Sequence, residues 1–155
     1  MKVLQGDLLV IEGSAQQQQV KLYGIDCPAK GQPFWDKARV LAAHLANQKT
    51  VEVIPLYMGP GGYENVLVRV EGVRDYLNVQ LIAHGMAWVK PNECSANLCA
   101  EWKGIEKLAQ MNAIGLWAEL NPIPPWEWKK QQRLKVGKHQ DSKDAKEKLP
   151  PSGPE

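Results

Sequence analysis

Apolar and polar positions follow a strand-like period through the early part of the chain and a helical period through the later part. "DLLVIEG" is an apolar run of strand length. "VKLYGID" alternates, with Val20, Leu22 and Gly24 on one side and Lys21, Tyr23 and Ile25 on the other. The polar "GSAQQQQ" between them has turn character, so the pattern predicts a hairpin with a soft tip. In "PFWDKARVLAAHLANQ" the period changes. Phe34, Ala38, Leu41, Ala42 and Leu45 share a helical face, and Pro33 suits a first turn. "KTVEVIPLY" and "YENVLVRVEG" are strands separated by the breaker "MGPGG". "DYLNVQLIAHG" is a short helix stopped by Gly85, and "MAWVK" is a short strand or extended link. "LCAEWKGIEKLAQMNAIG" is a last amphipathic helix with Leu98, Trp102, Ile105 and Leu108 on one stripe and Gly115 as its stop.

Strands cluster early and helices late, which predicts an α+β domain rather than a wound parallel sheet. A small closed barrel with flanking helices fits this order. After Gly115, "LWAELNPIPPWEWKK" carries three prolines and Trp117, Trp126 and Trp128, the composition of an extended arm over about 116–128. Packing, not base stacking, is the expected role of these tryptophans. Residues 129–155 are charged and poor in large apolar side chains, which predicts a basic, disordered tail after a folded unit of 1–128.

Composition narrows the function classes. At 155 residues with 44% hydrophobic and 23% charged positions, the chain suffices for one globular domain with a real core. No apolar run approaches the roughly 20 residues of a membrane helix. The net charge of +2 is unevenly spread: residues 129–155 carry eight Lys or Arg against four acids, and residues 1–128 carry eleven against thirteen. The slightly acidic folded part disfavours a phosphate-backbone binder. The partner is undefined, and a monomer without a membrane span is expected. His44, His84 and His139 show no metal or triad spacing.

Cys94 and Cys99 lie close together in "CSANLC". Two ligands are too few for structural zinc. Two readings stand: free buried thiols, or a small disulfide loop implying an oxidising compartment, and the second is favoured. Cys27 is left over. "GIDCPAKGQPF" sets Asp26 at a strand end beside the stiff Pro28, a good place to hold a cation or position a water. Ala29, three residues on, can do neither.

Four blocks in order carry a resemblance. "VKLYGIDCPAKGQPF", "YLNVQLIAHGMAWV", "GIEKLAQMNAIGLW" and "NPIPPWEW" resemble the staphylococcal-nuclease-like (thermonuclease) domains, from about Val3 to Trp128. The resemblance implies a five-stranded OB barrel with three helices, and Ca²⁺-dependent cleavage of DNA and RNA phosphodiesters. Ca²⁺ takes oxygen ligands on a rigid frame, a glutamate activates water, and two arginines grip the phosphate. By the same resemblance Asp7 and Asp26 match the metal aspartates, and Cys27 lends its backbone carbonyl to the ion. Lys21 stands at the first arginine, Ala29 at the glutamate and Asn65 at the second arginine. The metal half survives and the catalytic half does not. Lys21 lacks the guanidinium fork, Ala29 removes the base, and Glu64 beside Asn65 adds an anion. The expected protein is a degenerate nuclease domain acting as a binding or scaffold module, with at most a weak, millimolar Ca²⁺ site. The alternative is a weak Ca²⁺-dependent nuclease. The short "MKVLQ" before Asp7 and the cysteine pair together predict a trimmed, exported product.

Overall fold

A computed structural model describes residues 1–13 and 15–147. Strands β1 (Lys2–Gln5), β2 (Leu8–Glu12) and β3 (Gln17–Leu22) form an antiparallel meander. The β2–β3 hairpin is the one that the alternation predicts. Strand β1 is not legible as a separate element, because its four residues are too few to establish a period. A two-residue strand β4 (Ile25–Asp26) follows, then helix α1 (Trp35–Ala46) and the antiparallel pair β5 (Val51–Met58) and β6 (Glu64–Val70). Helix α2 (Leu77–Ala83), strand β7 (Trp88–Val89), helix α3 (Ala96–Met111) and helix α4 (Pro125–Glu147) complete the order.

The fold is mixed α+β. Hydrogen bonding runs β1-β2-β3-β6-β5 in one sheet and β4-β7 in a small second ribbon. β3 and β6 pair in parallel, with Lys21 opposite Asn65. The pairing ends at β1 and β5, so the large sheet is not closed on itself. Leu9, Val20, Leu22, Val66, Val68 and Val70 fill the space under it, against Ala38 and Ala42 of α1 and Leu77, Leu81 and Ile82 of α2. The small alanines of α1 let its backbone come close to the sheet. No helix among the described residues is long and apolar enough to cross a membrane.

Two local expectations change. The run "VKLYGID" is not one strand: it breaks at Gly24, whose φ of 74° ends β3 and starts β4. A Cβ there would sit 2.8 Å from the Trp102 ring and 3.2 Å from Cys94 Sγ, so close packing as well as torsion requires glycine. On α3 the buried stripe is Cys99, Trp102 and Ala109, with Leu98 and Ile105 half-buried, whereas Leu108 is exposed. Seven residues separate Trp102 from Ala109, two helical turns, so Ala109 and not Leu108 stays on the face that Trp102 sets.

The extended arm and disordered tail also differ. Residues 115–118 make a 3-10 turn, and α4 runs from Pro125 through residues expected to be disordered. Proline at a first helical position loses no hydrogen bond, and the following Lys, Gln, Arg and Leu are good helix formers. The described residues therefore contain four α-helices, where the resemblance implied three. Met1–Pro125 forms one compact unit, and α4 continues into a second that begins at Trp126. Residues 148–155 of the expected tail lie outside the described residues.

One buried amide joins these layers. Asn78, on α2 and fully buried, accepts from Val68 N–H at 3.2 Å and donates to Tyr23 O at 3.0 Å and Val66 O at 3.2 Å. Tyr23 is where β3 leaves the sheet, so its carbonyl has left the regular ladder. Asn78→Ala leaves Val68 N–H and Tyr23 O without these partners. Each buried orphan costs roughly 1–3 kcal/mol, and the expected loss is about 3 kcal/mol, read from urea denaturation midpoints at constant slope.

Candidate functional site

The turn between β1 and β2 holds Asp7. Gly6 packs so closely that a Cβ there would meet Cys27 Sγ at 2.8 Å and Ala38 Cβ at 3.1 Å. Asp7 O accepts from Leu22 N–H at 2.8 Å, which ties the turn to the end of β3. The Asp7 side chain is fully buried. Its Oδ1 accepts from Gln5 Nε2 at 2.9 Å, and its Oδ2 has no hydrogen-bond partner. Burial pushes the Cys27 thiol well up, with the charges of Asp7 and Asp26 adding to the rise and Lys21 opposing it. Asp7, Asp26 and Lys21 thus share one neighbourhood around the start of the "CPAKGQPF" loop.

Asp26 is 5% exposed and lies opposite Trp88 in the β4–β7 ribbon. Lys90 follows β7 and donates its backbone N–H to Gly24 O at 2.9 Å, extending the same ribbon. Its ammonium binds Glu93 Oε2 at 2.8 Å, with only 16% of the side chain exposed. Burial pulls the Lys90 pKa down. The hydrogen bond to Glu93, the charges of Asp26 and Glu93, and side-chain contact with Lys21 outweigh it, and the net direction is up. Tyr57 also responds to Glu93 and Lys90: partial burial raises its hydroxyl, Glu93 and Tyr23 add to this, and Lys90 opposes it. Lys90, Glu93 and Tyr57 have no sequence signal, since Tyr57 meets the 90–93 segment, and Lys90 meets Asp26, only through folding.

The positions that the family resemblance assigns to catalysis are built differently. Ala29 is 4% exposed, and its N–H donates to Gln32 Oε1 at 3.0 Å, while Gln32 Nε2 donates to Ile123 O. The loop is thereby closed on itself. Asn65 is 5% exposed and donates weakly to Tyr63 O at 3.4 Å. The 59–63 turn lies on it, since a Cβ at Gly59 would come within 2.3 Å of Asn65 Nδ2. Glu64 accepts from Gln18 Nε2. Asp36 pairs with Arg39 at 2.7 Å, and Arg69 is engaged by Glu52 and Tyr76. His44 and His84 are exposed, and the side chain of His139 lies outside the described residues.

Cys94 and Cys99 form a disulfide with Cα atoms 5.5 Å apart. The residues on either side of Cys94 both reach the site: Ser95 N–H donates to Tyr23 Oη at 2.6 Å, and Glu93 holds Lys90. Cys27 is free and buried.

A divalent ion tests these donors. The unpartnered Asp7 Oδ2 would suit one. The two lysines bearing on the same neighbourhood would not, because each ammonium repels a cation. Among the described residues, no group of three or more His, Cys, Asp or Glu side chains is arranged to hold a metal ion. The residues present do not fit a resident Ca²⁺.

Comparison with known proteins agrees on one family. The family model described as Staphylococcal nuclease homologue matches residues 19–119. That span includes Lys21, Asp26, Ala29, Asn65 and Lys90. An "Uncharacterized endonuclease" of Haemophilus influenzae is 28% identical over 137 residues, covering 88% of this chain and 74% of its own length. "Micrococcal nuclease" of Shigella flexneri is 28% identical over 145 residues, covering 86% and 80%. A "Probable staphylococcal-like nuclease" of Oryza sativa subsp. japonica is also 28% identical, but only 25% of its length is matched.

The placement of β7, and so of Lys90, rests on a half-buried carboxylate: Glu106 Oε2 accepts from Val89 N–H at 2.6 Å. Burial raises the Glu106 pKa, against the Val89 hydrogen bond and Lys103, which lower it. A raised carboxyl favours the folded state most below its unfolded pKa of about 4.3, and the benefit fades as pH rises through the folded value. Glu106→Gln keeps an acceptor and removes the buried charge. It is expected to match the wild type near pH 4 and to gain on it towards pH 7. Glu106→Ala loses about 1–3 kcal/mol at both, by orphaning Val89 N–H. Urea unfolding across that pH range checks both.

Proposed function

This chain belongs to the Staphylococcal nuclease homologue family, and we propose that within it the protein is a catalytically degenerate member, a binding or scaffold module. The observation that carries this reading is Ala29. It stands, by the family resemblance, where the glutamate that activates water is expected, and it is buried with its backbone N–H held by Gln32. Pro28 and the following "KGQPF" keep that register. Lys21 and Asn65 at the arginine positions act in the same direction. A lysine cannot grip phosphate bidentately, and an asparagine brings no charge. Loss of a water-activating base removes roughly 10²–10⁴-fold in rate, and loss of one preorganised charge-stabilising donor roughly 10²–10³-fold. Arg69 and Asp36, the nearest chemical substitutes in sequence, are committed to other partners.

The five strands of the large sheet are read here as those of an OB barrel, a partly open form of which accommodates the β1-β2-β3-β6-β5 order. The folded module is assigned to 1–128, with 129–155 as an appendage. The Cys94–Cys99 disulfide supports export to an oxidising compartment. Asp7, Asp26 and the Cys27 carbonyl constitute at most a weak residual Ca²⁺ site. A second reading, a weak Ca²⁺-dependent phosphodiesterase, draws support from the unpartnered Asp7 Oδ2 and from relatives named as nucleases.

Single-stranded DNA incubated with the purified protein separates the two. The expected result is no cleavage with Ca²⁺ above that with EDTA. Ala29→Glu alone is expected to stay inactive, because groups that act as a unit are not restored singly. Lys21→Arg, Ala29→Glu and Asn65→Arg together are the smallest set that restores the lost groups. Asn65→Arg must also displace the 59–63 turn. Ca²⁺-dependent cleavage by the unmodified chain, abolished by Asp26→Ala, would establish the second reading.

A further inference from the structure

Asp26 and Lys90 lie on the same face of the β4–β7 ribbon. Ile25 opposes Val89 and Asp26 opposes Trp88. Lys90 N–H binds Gly24 O, so Lys90 opposes Gly24. Side chains alternate along a strand, and residues 24, 26, 88 and 90 therefore share one face. Asp26 and Lys90 are its diagonal neighbours, with Cβ atoms about 7–8 Å apart or slightly less, within reach of a long side chain.

Lys90 is also held in place. Glu93 grips its ammonium at 2.8 Å, and the chain just beyond Glu93 is closed by the Cys94–Cys99 disulfide and tied to Tyr23 through Ser95. Most of the Lys90 side chain is out of solvent, where an ammonium needs countercharge. Glu93 is largely exposed and supplies part of it. Asp26, 5% exposed, supplies the rest from the opposite strand. Lys21 adds a second positive charge to the same neighbourhood.

We propose that the Lys90 ammonium is a built-in cation for Asp26, clamped by Glu93, and that it excludes a divalent metal from the site. The inference rests on the degenerate-site reading and gives it a mechanism. The site did not merely lose catalytic groups: the charge that a metal would bring is supplied by the chain itself. Asp26 is the inward countercharge of this ammonium, and the arrangement requires no ion from solution.

The test uses the full chain and CaCl₂ alone, followed by calorimetry and by thermal shift. Wild type is expected to show no saturable binding and no stabilisation up to about 10 mM, beyond the millimolar range of the weakest extracellular sites. Lys90→Gln is expected to bind Ca²⁺ at least tenfold more tightly and to melt higher when it is added. Lys90→Met, which keeps the aliphatic stem, should do the same and carries the test if the glutamine variant does not fold. Lys90→Arg keeps the charge and should behave as wild type. Saturable sub-millimolar binding by wild type would overturn the proposal, as would folded Lys90→Gln and Lys90→Met variants that bind no better than wild type. Cleavage assays stay separate. Ca²⁺-dependent cleavage by wild type would defeat the degenerate-site reading itself, whereas an inactive wild type with unresponsive Lys90 variants would defeat this inference alone.

Discussion

The carboxamide of Asn78 is the contact on which the rest of the arrangement depends. β3 must leave the sheet at Tyr23 to deliver Gly24, Ile25 and Asp26 to a second ribbon, and that departure strips Tyr23 O of a regular ladder partner. Asn78 supplies one from α2 while also bonding Val66 O and Val68 N–H on β6. A buried polar group of this kind is stabilising only when its bonds are all made, which fixes α2, β6 and the strand exit in a single geometry. No apolar side chain of similar size could do this, since packing alone does not specify direction.

Everything at the site is hung from that exit. Gly24 turns the chain against Trp102 and Cys94, the β4–β7 ribbon starts immediately, and Asp26 emerges opposite Trp88. Trp88 in turn packs edge-on against Trp117, ring centroids 5.4 Å apart, which braces β7. Glu106 reaches from α3 to the same strand. The carboxylate of Asp26 is thus supported by both strands of its ribbon and by two tryptophans, a rigid frame of the kind that chemistry at a fixed point requires. Frame and chemistry are separable. The frame is intact here, while in the function proposed above Lys21, Ala29 and Asn65 replace the groups that phosphodiester cleavage uses.

The disulfide loop belongs to the frame. Glu93 and Ser95 flank Cys94, and they reach Lys90 and Tyr23 respectively. Closing residues 94–99 removes freedom from a segment with little apolar surface of its own to hold it. An ion pair with one partner at the surface, as Glu93 is for Lys90, would by itself contribute little. Set between a closed loop and a buried carboxylate, it has fixed ends, and less side-chain freedom remains to be lost.

Much of this was legible from residue order. The alternation of "VKLYGID", the helical faces of α1 and α3, and the four family blocks determine an α+β domain of the nuclease-homologue family. The register proposed for Asp26, Ala29, Lys21 and Asn65 comes from the same blocks, with Pro28 pinning the loop. Local pattern does not report long-range contact. Whether "VKLYGID" is one strand or two depended on Trp102 packing against Gly24 from a helix almost eighty residues away. Which residues line α3 depended on where Trp102 seats. Lys90, an ordinary lysine beside a proline in sequence, became the neighbour of Asp26 only because β7 pairs with β4. Sequence determines what each side chain can do, by its chemistry and local period. Which charges meet is decided by strand pairing and burial, because electrostatic energy depends on distance in space and on the water excluded between the groups, neither of which is written along the chain.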